Sequence, residues 1–253
     1  MNLMNNNNQW IVRIKPNPIA KMKLYCFPYS GATASVYFPW AEILPSIIEI
    51  NSIQLPGHGN RISETLITNL DEMVGKLLSS FQPGKNESYA FFGHSLGALL
   101  SFEFLRALRK EKYPMPKILF VSGHGGPQIP DLNPNIHTLP DVDFDQKLRE
   151  INGMTKDVLE NRELMELLKP ILRADFEVCE RYIYKQDPPF DFPIIAFGGL
   201  QDPYVSRGDL EGWQQQTSQK CSIRMFPGDH FYLHSARMML LQVIAREIAP
   251  FLV

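Results

Sequence analysis

The stretch Tyr89–Leu108, YAFFGHSLGALLSFEFLRAL, places a serine between two glycines where an apolar run becomes an amphipathic one. The run before the serine is typical of a buried strand, and the apolar spacing after it predicts a helix. Gly93–Gly97 fits the pattern G-x-S-x-G, in which small residues flank a serine because the strand-to-helix turn is too sharp for neighbouring β-carbons. Such a turn exposes the hydroxyl near the positive end of the helix. The pattern predicts Ser95 as a nucleophile; the alternative is that Ser95 only caps the helix.

Composition and charge argue against several classes of function. The 253 residues carry 25 Lys and Arg against 27 Asp and Glu, a net charge of −2, whereas a nucleic-acid binder would need a basic surface. No apolar run approaches the ~20 residues of a membrane span, so we expect no membrane association. The asparagine-rich start, Met1–Trp10, lacks the features of a secretory signal and is interpreted as a short tail. Three scattered cysteines predict neither a disulfide framework nor a zinc site, and favour the cytoplasm.

Short apolar runs bounded by glycine or proline alternate with segments of helical period. The predicted strands are Trp10–Ile14, Lys23–Pro28, Ile47–Pro56, Tyr89–Phe92, Lys117–Gly123, Pro193–Gly199 and Cys221–Gly228. The predicted helices between and after them are Val36–Leu44, Leu70–Phe81, Ala98–Lys110 and one from about Ser235 to Leu252. This alternation predicts an α/β fold with a mostly parallel central sheet flanked by helices, and with the first strand at an edge.

The interval from residue 125 to about residue 191 breaks the alternation. It shows no convincing strand but has helical patterns over Asp143–Ile151, Lys156–Asn161 and Arg162–Tyr184. Pro170 is expected to break or kink the last of these helices. Ligands of open α/β sheets bind beyond the carboxyl ends of the strands. We therefore interpret residues 125–191 as a helical cap over that crevice, inserted into a single domain of residues 1–253.

A serine nucleophile needs a base and an orienting carboxylate, which in this kind of fold follow it in the order Ser, Asp or Glu, His. Asp202 comes directly after the sixth predicted strand, and His230 directly after the seventh. Asp229 adjoins His230 and is poorly placed to bond its ring, and Asp175, in the cap, is interpreted as structural. Order, loop positions and residue types favour a serine hydrolase with Ser95, Asp202 and His230 as its catalytic triad.

The remaining histidines are weaker candidates. His58, in LPGHGNR, follows an early strand and could line the site, but turn chemistry explains PGHG equally well. His94 precedes the nucleophile and is expected to point elsewhere. His230 and His234 lie four residues apart, a spacing seen in zinc sites, but Phe231 stands where the H-E-x-x-H motif has its glutamate. We predict no metal.

Further motifs are spread over nearly the whole chain. They are KLYCFPYSGATAS (Lys23–Ser35), LPGHGNR (Leu55–Arg61), FFGHSLGALLSFEF (Phe91–Phe104), LKPILRADFEVCERY (Leu168–Tyr182) and FPGDHFYL (Phe226–Leu233). Together they resemble the type II thioesterases of the α/β-hydrolase superfamily, stand-alone enzymes that accompany nonribosomal peptide and polyketide synthases. LRADF before Glu-x-Tyr is the most discriminating motif. The chain departs from the family pattern at SGHGGP (Ser122–Pro127), where two arginines often follow Ser-Gly, and at Ala32, where a second glycine is usual.

The resemblance implies a thioesterase that removes aberrant or stalled acyl groups from the phosphopantetheine arm of an acyl- or peptidyl-carrier protein. The residue after the nucleophile, Leu96, supplies one backbone N–H to the oxyanion hole, and the resemblance implies Tyr29 N–H as the other. No cofactor is implied, and we expect a monomer. Basic residues of the cap are candidate contacts for an acidic carrier protein: Lys156, Arg162, Lys169 and Arg173.

Two other classes of function stay open. A carboxylesterase or a soluble acyl-CoA thioesterase would share the triad and the oxyanion hole, and only the cap motif argues against it. A non-catalytic binding module with a hydrolase fold is the other alternative, although such proteins usually lose a triad member and this chain retains all three.

Overall fold

In the computed structural model, which describes residues 9–81, 83–84, 86–130 and 135–252, seven strands form one sheet. The strands are β1 (Ile11–Arg13), β2 (Met22–Phe27), β3 (Ile48–Ile53), β4 (Tyr89–His94), β5 (Leu119–Ser122), β6 (Ile194–Gly199) and β7 (Cys221–Phe226). They lie in the order β1-β3-β2-β4-β5-β6-β7. Only β1 pairs antiparallel, at the edge next to β3. The mostly parallel sheet is therefore confirmed, and each strand begins and ends within about three residues of its prediction. The predicted tail, residues 1–8, lies outside the described residues.

Helices cover both faces of this sheet. They are α1 (Trp40–Ile43), α2 (Leu70–Ser80), α3 (Leu96–Lys110), α4 (Asp141–Ile151), α5 (Lys156–Glu160), α6 (Arg162–Glu180), α7 (Arg207–Glu211), α8 (Tyr232–Ser235) and α9 (Arg237–Ile248). Successive strand residues point to opposite faces, so Phe91 packs into a core with α2 and α3 while Phe92 packs into a core with α1 and α9. Both faces are buried, which explains why the central strands β4, β5 and β6 are mostly apolar rather than alternating.

Two of the predicted helices are interrupted. The segment predicted as one helix over Val36–Leu44 is a 3₁₀ turn, Ala34–Tyr37, followed by α1. Pro39 lies between them, where it has no N–H to donate to the preceding turn, and α1 begins directly after it. The segment predicted as one helix from about Ser235 to Leu252 is α9 followed by a 3₁₀ turn, Ala249–Phe251, that contains Pro250, and α8 ends where this segment begins.

The expected break at Pro170 is wrong, because α6 runs through this residue without interruption. Pro170 is exposed, so the carbonyl group that loses its intrahelical donor can be hydrated. Away from Pro170, the buried side chains of Ile171, Leu172 and Val178 hold the helix in place.

The three helices α4, α5 and α6 all lie between β5 and β6, where the sequence predicts the cap. In the described part of this interval no strand occurs, and Phe190 makes an isolated bridge to Thr217. The helices bury a small apolar cluster of their own around Phe144, Leu148 and Leu172. That this segment acts as a cap within a single domain stays a prediction here.

The turn between β4 and α3 brings three backbone segments into direct contact. A β-carbon on Gly93 would lie 2.1 Å from the carbonyl oxygen of Gly97, and one on Gly97 would lie 2.1 Å from the carbonyl oxygen of Phe27 in β2. Both distances are far shorter than any van der Waals contact and involve backbone atoms that cannot move aside. Only glycine at both positions lets α3 begin this close to β4 and β2.

Gly97→Ala should therefore destabilise the protein, although alanine is the better helix former. We expect the free energy of unfolding to fall by about 1–3 kcal/mol or more, as for other overpacked sites. Gly75, exposed in α2 with no atom within 4 Å of its β-carbon position, is the matched control. Gly75→Ala should raise the free energy of unfolding by about 0.5–1 kcal/mol. Urea unfolding followed by circular dichroism measures both, and equal stability of the two variants would contradict this packing argument.

Candidate active site

Ser95 joins β4 to α3 in a backbone conformation that residues other than glycine rarely adopt. Its φ is 53° and its ψ is −119°, outside the regions favoured by residues with a β-carbon. Such a conformation costs about 1–3 kcal/mol and persists only where surrounding structure fixes it. Here the Ser95 N–H donates to the carbonyl oxygen of Ser122, at the end of β5, at 2.8 Å. The serine is thereby held half-buried at the first turn of α3.

Asp202 and His230, from loops after β6 and β7, are brought together by the fold. His230 Nδ1 lies 2.8 Å from Asp202 Oδ2, and the Asp202 side chain is fully buried. The other carboxylate oxygen accepts the N–H groups of Tyr204 and Val205, at 2.8 and 3.2 Å. Because the carboxylate only accepts, the proton of a neutral His230 ring is on Nδ1. Nε2 is then left as an acceptor.

One cavity of about 390 Å³ takes in Ser95, His230 and Tyr29. Its other wall comes from the helices between β5 and β6, through the apolar side chains of Leu148, Met154, Leu172 and Phe176. A mainly apolar cavity with a few polar groups at one place is the usual form of a small-molecule site. The strand-end loops and α4 to α6 therefore enclose a space suited to an apolar group held next to Ser95.

Tyr29 begins a tight turn that follows β2. The Ala32 N–H donates to the carbonyl oxygen of Tyr29 at 3.0 Å, and Gly31 has a φ of +76°, the left-handed region in which glycine is favoured. In the described part of the chain, the backbone N–H groups of Tyr29 and Leu96 donate to no other group. The role of these two N–H groups as oxyanion donors stays a prediction.

The Tyr29 side chain is anchored on the opposite side of this turn. Its hydroxyl lies 2.9 Å from His234 Nε2, and its ring meets Phe231 edge-on at 5.2 Å. Burial raises the pKa of Tyr29 to about 12, so the phenol is the donor. Burial and, to a smaller extent, the charge of Arg237 lower the pKa of His234. A lowered pKa favours the neutral ring, whose Nε2 can accept the hydrogen bond of the Tyr29 hydroxyl.

His94 lies in the core beneath the serine, as expected from the sequence. It is fully buried, and its Nδ1 lies 2.8 Å from Ser122 Oγ, which in turn lies 2.5 Å from the Tyr232 hydroxyl. Burial, then the charges of His230 and His234, places the pKa of His94 well below its ordinary value. The neutral ring supports the strand end on which Ser95 stands.

The other acidic candidates have distinct positions. Asp229 does not bond the His230 ring; it accepts the Phe231 N–H and the Asn152 side-chain amide, both at 2.9 Å. Asp175 is buried on α6 and bonds His58. No local sequence pattern indicates this pair, because its members are 117 residues apart.

The four basic residues of the cap each pair with an acidic residue of the same segment. The pairs are Lys156–Glu160, Arg162–Glu166, Lys169–Asp145 and Arg173–Asp141. Lys156 and Arg162 are the most exposed of the four, with 83% and 90% of their side chains accessible. Contact of any of them with a carrier protein stays a prediction.

Within residues 9–252, as far as they are described, no three His, Cys, Asp or Glu side chains cluster in a way that would hold a metal ion. The same described residues include no helix with the length and apolarity needed to cross a membrane.

Comparison with known proteins assigns the family. The model of the thioesterase domain matches residues 22–250. Gramicidin S biosynthesis protein GrsT of Aneurinibacillus migulanus is 43% identical over 248 residues, which cover 98% of this chain and 97% of that protein. Among solved structures, ClbQ from the colibactin NRPS/PKS pathway has a TM-score of 0.86 at 30% identity, covering 92% of this chain and 98% of its own. The type II thioesterase BorB, from the borrelidin biosynthetic cluster, has a TM-score of 0.83 at 30% identity over 96% and 98%. The resemblance to type II thioesterases is confirmed, and the chain belongs to the thioesterase family with an α/β-hydrolase fold.

Proposed function

We propose that this thioesterase hydrolyses aberrant or stalled acyl groups from the phosphopantetheine arm of acyl- or peptidyl-carrier proteins in nonribosomal peptide or polyketide biosynthesis. The observation that carries the proposal is the cavity of about 390 Å³ that joins Ser95, on its strained turn, to the hydrogen-bonded pair of His230 and Asp202. We further propose that it acts as a monomer in the cytoplasm, a location consistent with three cysteines that lack any disulfide or metal-binding pattern.

Ser95 is the proposed nucleophile and His230 the proposed base. His230 Nε2 takes the hydroxyl proton as Ser95 Oγ attacks the thioester carbonyl. Asp202 fixes the ring tautomer and stabilises the imidazolium that forms. The 2.8 Å bond between His230 Nδ1 and Asp202 supports these roles, because it directs Nε2 away from the carboxylate.

The carbonyl oxygen becomes an oxyanion during this attack and needs donors already in place. Leu96 N–H and Tyr29 N–H are the proposed pair. The absence of any other acceptor for these two groups in the described part of the chain supports the assignment. Removing one donor of this kind typically costs about 10²–10³ in rate.

The tetrahedral intermediate then collapses with cleavage of the carbon–sulfur bond. The phosphopantetheine sulfur leaves with the proton held on His230, and the acyl group remains as an ester of Ser95. A thiol ionises near pH 8.5, as cysteine does, and is therefore a much better leaving group than an amine. Water next gives a proton to His230 and attacks the ester, and the carboxylic acid leaves as Ser95 recovers its proton.

Replacing members of the triad should abolish turnover without unfolding the protein. We expect Ser95→Ala and His230→Ala each to lower kcat by about 10⁴-fold or more, and Asp202→Asn to remove much of the rate by allowing the wrong tautomer. Asp229→Asn, at the adjacent carboxylate that does not touch the ring, is the matched control and should keep kcat within about twofold. Steady-state hydrolysis of a small activated thioester, with circular dichroism to check folding, measures all four. A normal rate and pH profile for Asp202→Asn would show that another carboxylate orients His230.

The carrier protein should be part of the recognised substrate. For one acyl group we expect kcat/KM to be at least about tenfold higher on the carrier protein than on coenzyme A or a small thiol, which corresponds to about 1.4 kcal/mol of additional transition-state binding. The control is Ser95→Ala, which should hydrolyse none of the three. Equal kcat/KM on all three substrates would instead favour an acyl-CoA thioesterase or an esterase.

A further inference from the structure

Asp175 connects the helix over the cavity to the turn that carries Tyr29. It lies on α6, and its side chain is only 1% exposed. Its Oδ2 accepts the backbone N–H of Gly31 at 2.7 Å and lies 2.9 Å from His58 Nε2. Gly31 is two residues after Tyr29, in the same turn, and His58 is in the loop after β3. One carboxylate oxygen therefore joins α6 to two strand-end loops.

A second contact from the same helix reaches the same turn. Leu172 precedes Asp175 by three residues, so the two side chains lie on one face of α6. A β-carbon on Gly31 would lie 2.5 Å from Leu172 Cδ2, which shows how closely the helix packs on the turn. Leu172 also lines the cavity. The surface that would contact an acyl group and the surface that holds the Tyr29 turn thus belong to one rigid helix.

The hydrogen bonds of His58 show that it balances the charge of Asp175. Its Nδ1 faces the carbonyl oxygen of Pro56 at 2.9 Å, and its Nε2 faces the Asp175 carboxylate at 2.9 Å. Both partners present acceptor oxygens, an arrangement that favours the protonated ring, in which both nitrogens donate. Burial alone lowers the pKa of His58, but the charge and hydrogen bond of Asp175 outweigh it, and the net result is a raised pKa.

A second charged group also acts on this ring. Arg61, on the same loop, lowers the pKa of His58, but its guanidinium is bound to the Glu64 carboxylate at 2.6 Å and to the Gln54 carbonyl oxygen at 2.9 Å. The buried pair of Asp175 and His58 is therefore compensated locally. Because His58 compensates its charge, the buried Asp175 carboxylate can accept the Gly31 N–H without the cost of an unpaired buried charge.

The turn is thus held on two sides. On one side the Tyr29 hydroxyl bonds His234 at 2.9 Å, and on the other the Gly31 N–H bonds Asp175 at 2.7 Å. The Tyr29 backbone N–H belongs to the residue that carries the first anchor and lies two residues before the second. A 3.0 Å hydrogen bond from the Ala32 N–H to the Tyr29 carbonyl oxygen closes this turn, so a displacement of the turn at Gly31 would also redirect the Tyr29 N–H.

We propose that Asp175 is a positioning residue for the oxyanion hole. By holding the Gly31 N–H, Asp175 fixes the direction of the Tyr29 N–H. The position of α6 over the cavity is thereby coupled to the position of the Tyr29 donor. The proposal rests on the proposed function, since it requires Tyr29 N–H to bind the oxyanion. Asp175 itself does not contact the substrate. Its loss should therefore appear in the chemical step rather than in substrate binding.

The test is the kinetics of Asp175→Ala on a small activated thioester. We expect kcat to fall about 10–100-fold, below the full cost of losing one oxyanion donor, while KM changes by no more than about twofold. Asp145→Ala is the matched control, because Asp145 is also a cap carboxylate, binds Lys169 on α6 at 2.7 Å, and makes no contact with the turn. It should keep kcat within about twofold. An unchanged kcat for Asp175→Ala, or equal losses for the two variants, would overturn the proposal.

Asp175→Asn separates a positioning role from a merely structural one. Its amide oxygen can still accept the Gly31 N–H, so it should retain more kcat than Asp175→Ala, with a loss of about 3–10-fold. If Asp175→Ala fails to fold, this variant decides the matter alone: the predicted loss with an unchanged KM supports the proposal, and a wild-type kcat overturns it.

The pH profile gives a further readout. A group with a raised pKa contributes below that pKa and loses its contribution as pH rises through it. The wild-type kcat should therefore fall on the alkaline side as His58 loses its proton, and Asp175→Ala should remove this alkaline limb. A wild-type pH profile in Asp175→Ala would overturn the proposal.

Failure of the proposed function would look different. Turnover by Ser95→Ala would contradict the proposed function, whereas a wild-type kcat and pH profile in Asp175→Ala would contradict only the positioning role of Asp175.

Discussion

The left-handed backbone of Ser95 is the constraint on which the rest of this structure depends. With a φ of 53°, the chain turns from β4 into α3 within one residue. This is possible only because Gly93 and Gly97 have no β-carbons to collide with the backbone around them. The strain of about 1–3 kcal/mol is offset by the Ser95 N–H bond to Ser122 and by the burial of β4 and α3 on either side. The result is a polar side chain held at the mouth of an apolar cavity.

Parallel strand order explains how distant residues meet at this serine. The carboxyl ends of β2, β4, β6 and β7 lie along one edge of the sheet, so Tyr29, Ser95, Asp202 and His230 gather there although they come from separate parts of the chain. The helices between β5 and β6 then close the space. They contribute apolar walls, and through Asp175 and Asn152 they also bond the loops that carry Tyr29 and His230. The same helices thus shape the cavity and anchor the polar groups at its edge.

The sequence predicts those features that depend on local pattern. Apolar runs between glycines and prolines located the strands, and G-x-S-x-G located the turn at Ser95, because these signals lie within a few residues. Two local judgements were wrong for physical reasons: Pro39 divides a helix, whereas Pro170 is exposed and is tolerated within one. The bond between Asp175 and Gly31 was not predictable, because it joins residues 144 positions apart and follows only from the seating of α6.

The strained turn at Ser95 and the pairing of His230 with Asp202 predict that Ser95 is a nucleophile activated by His230. Covalent labelling with a fluorophosphonate, followed by mass-spectrometric mapping of the modified peptide, tests it most directly. We expect a single adduct on Ser95 Oγ, with labelling greatly slowed in His230→Ala although the serine is unchanged. An adduct on a different residue, or labelling of Ser95 at the same rate without the His230 imidazole, would contradict the claim.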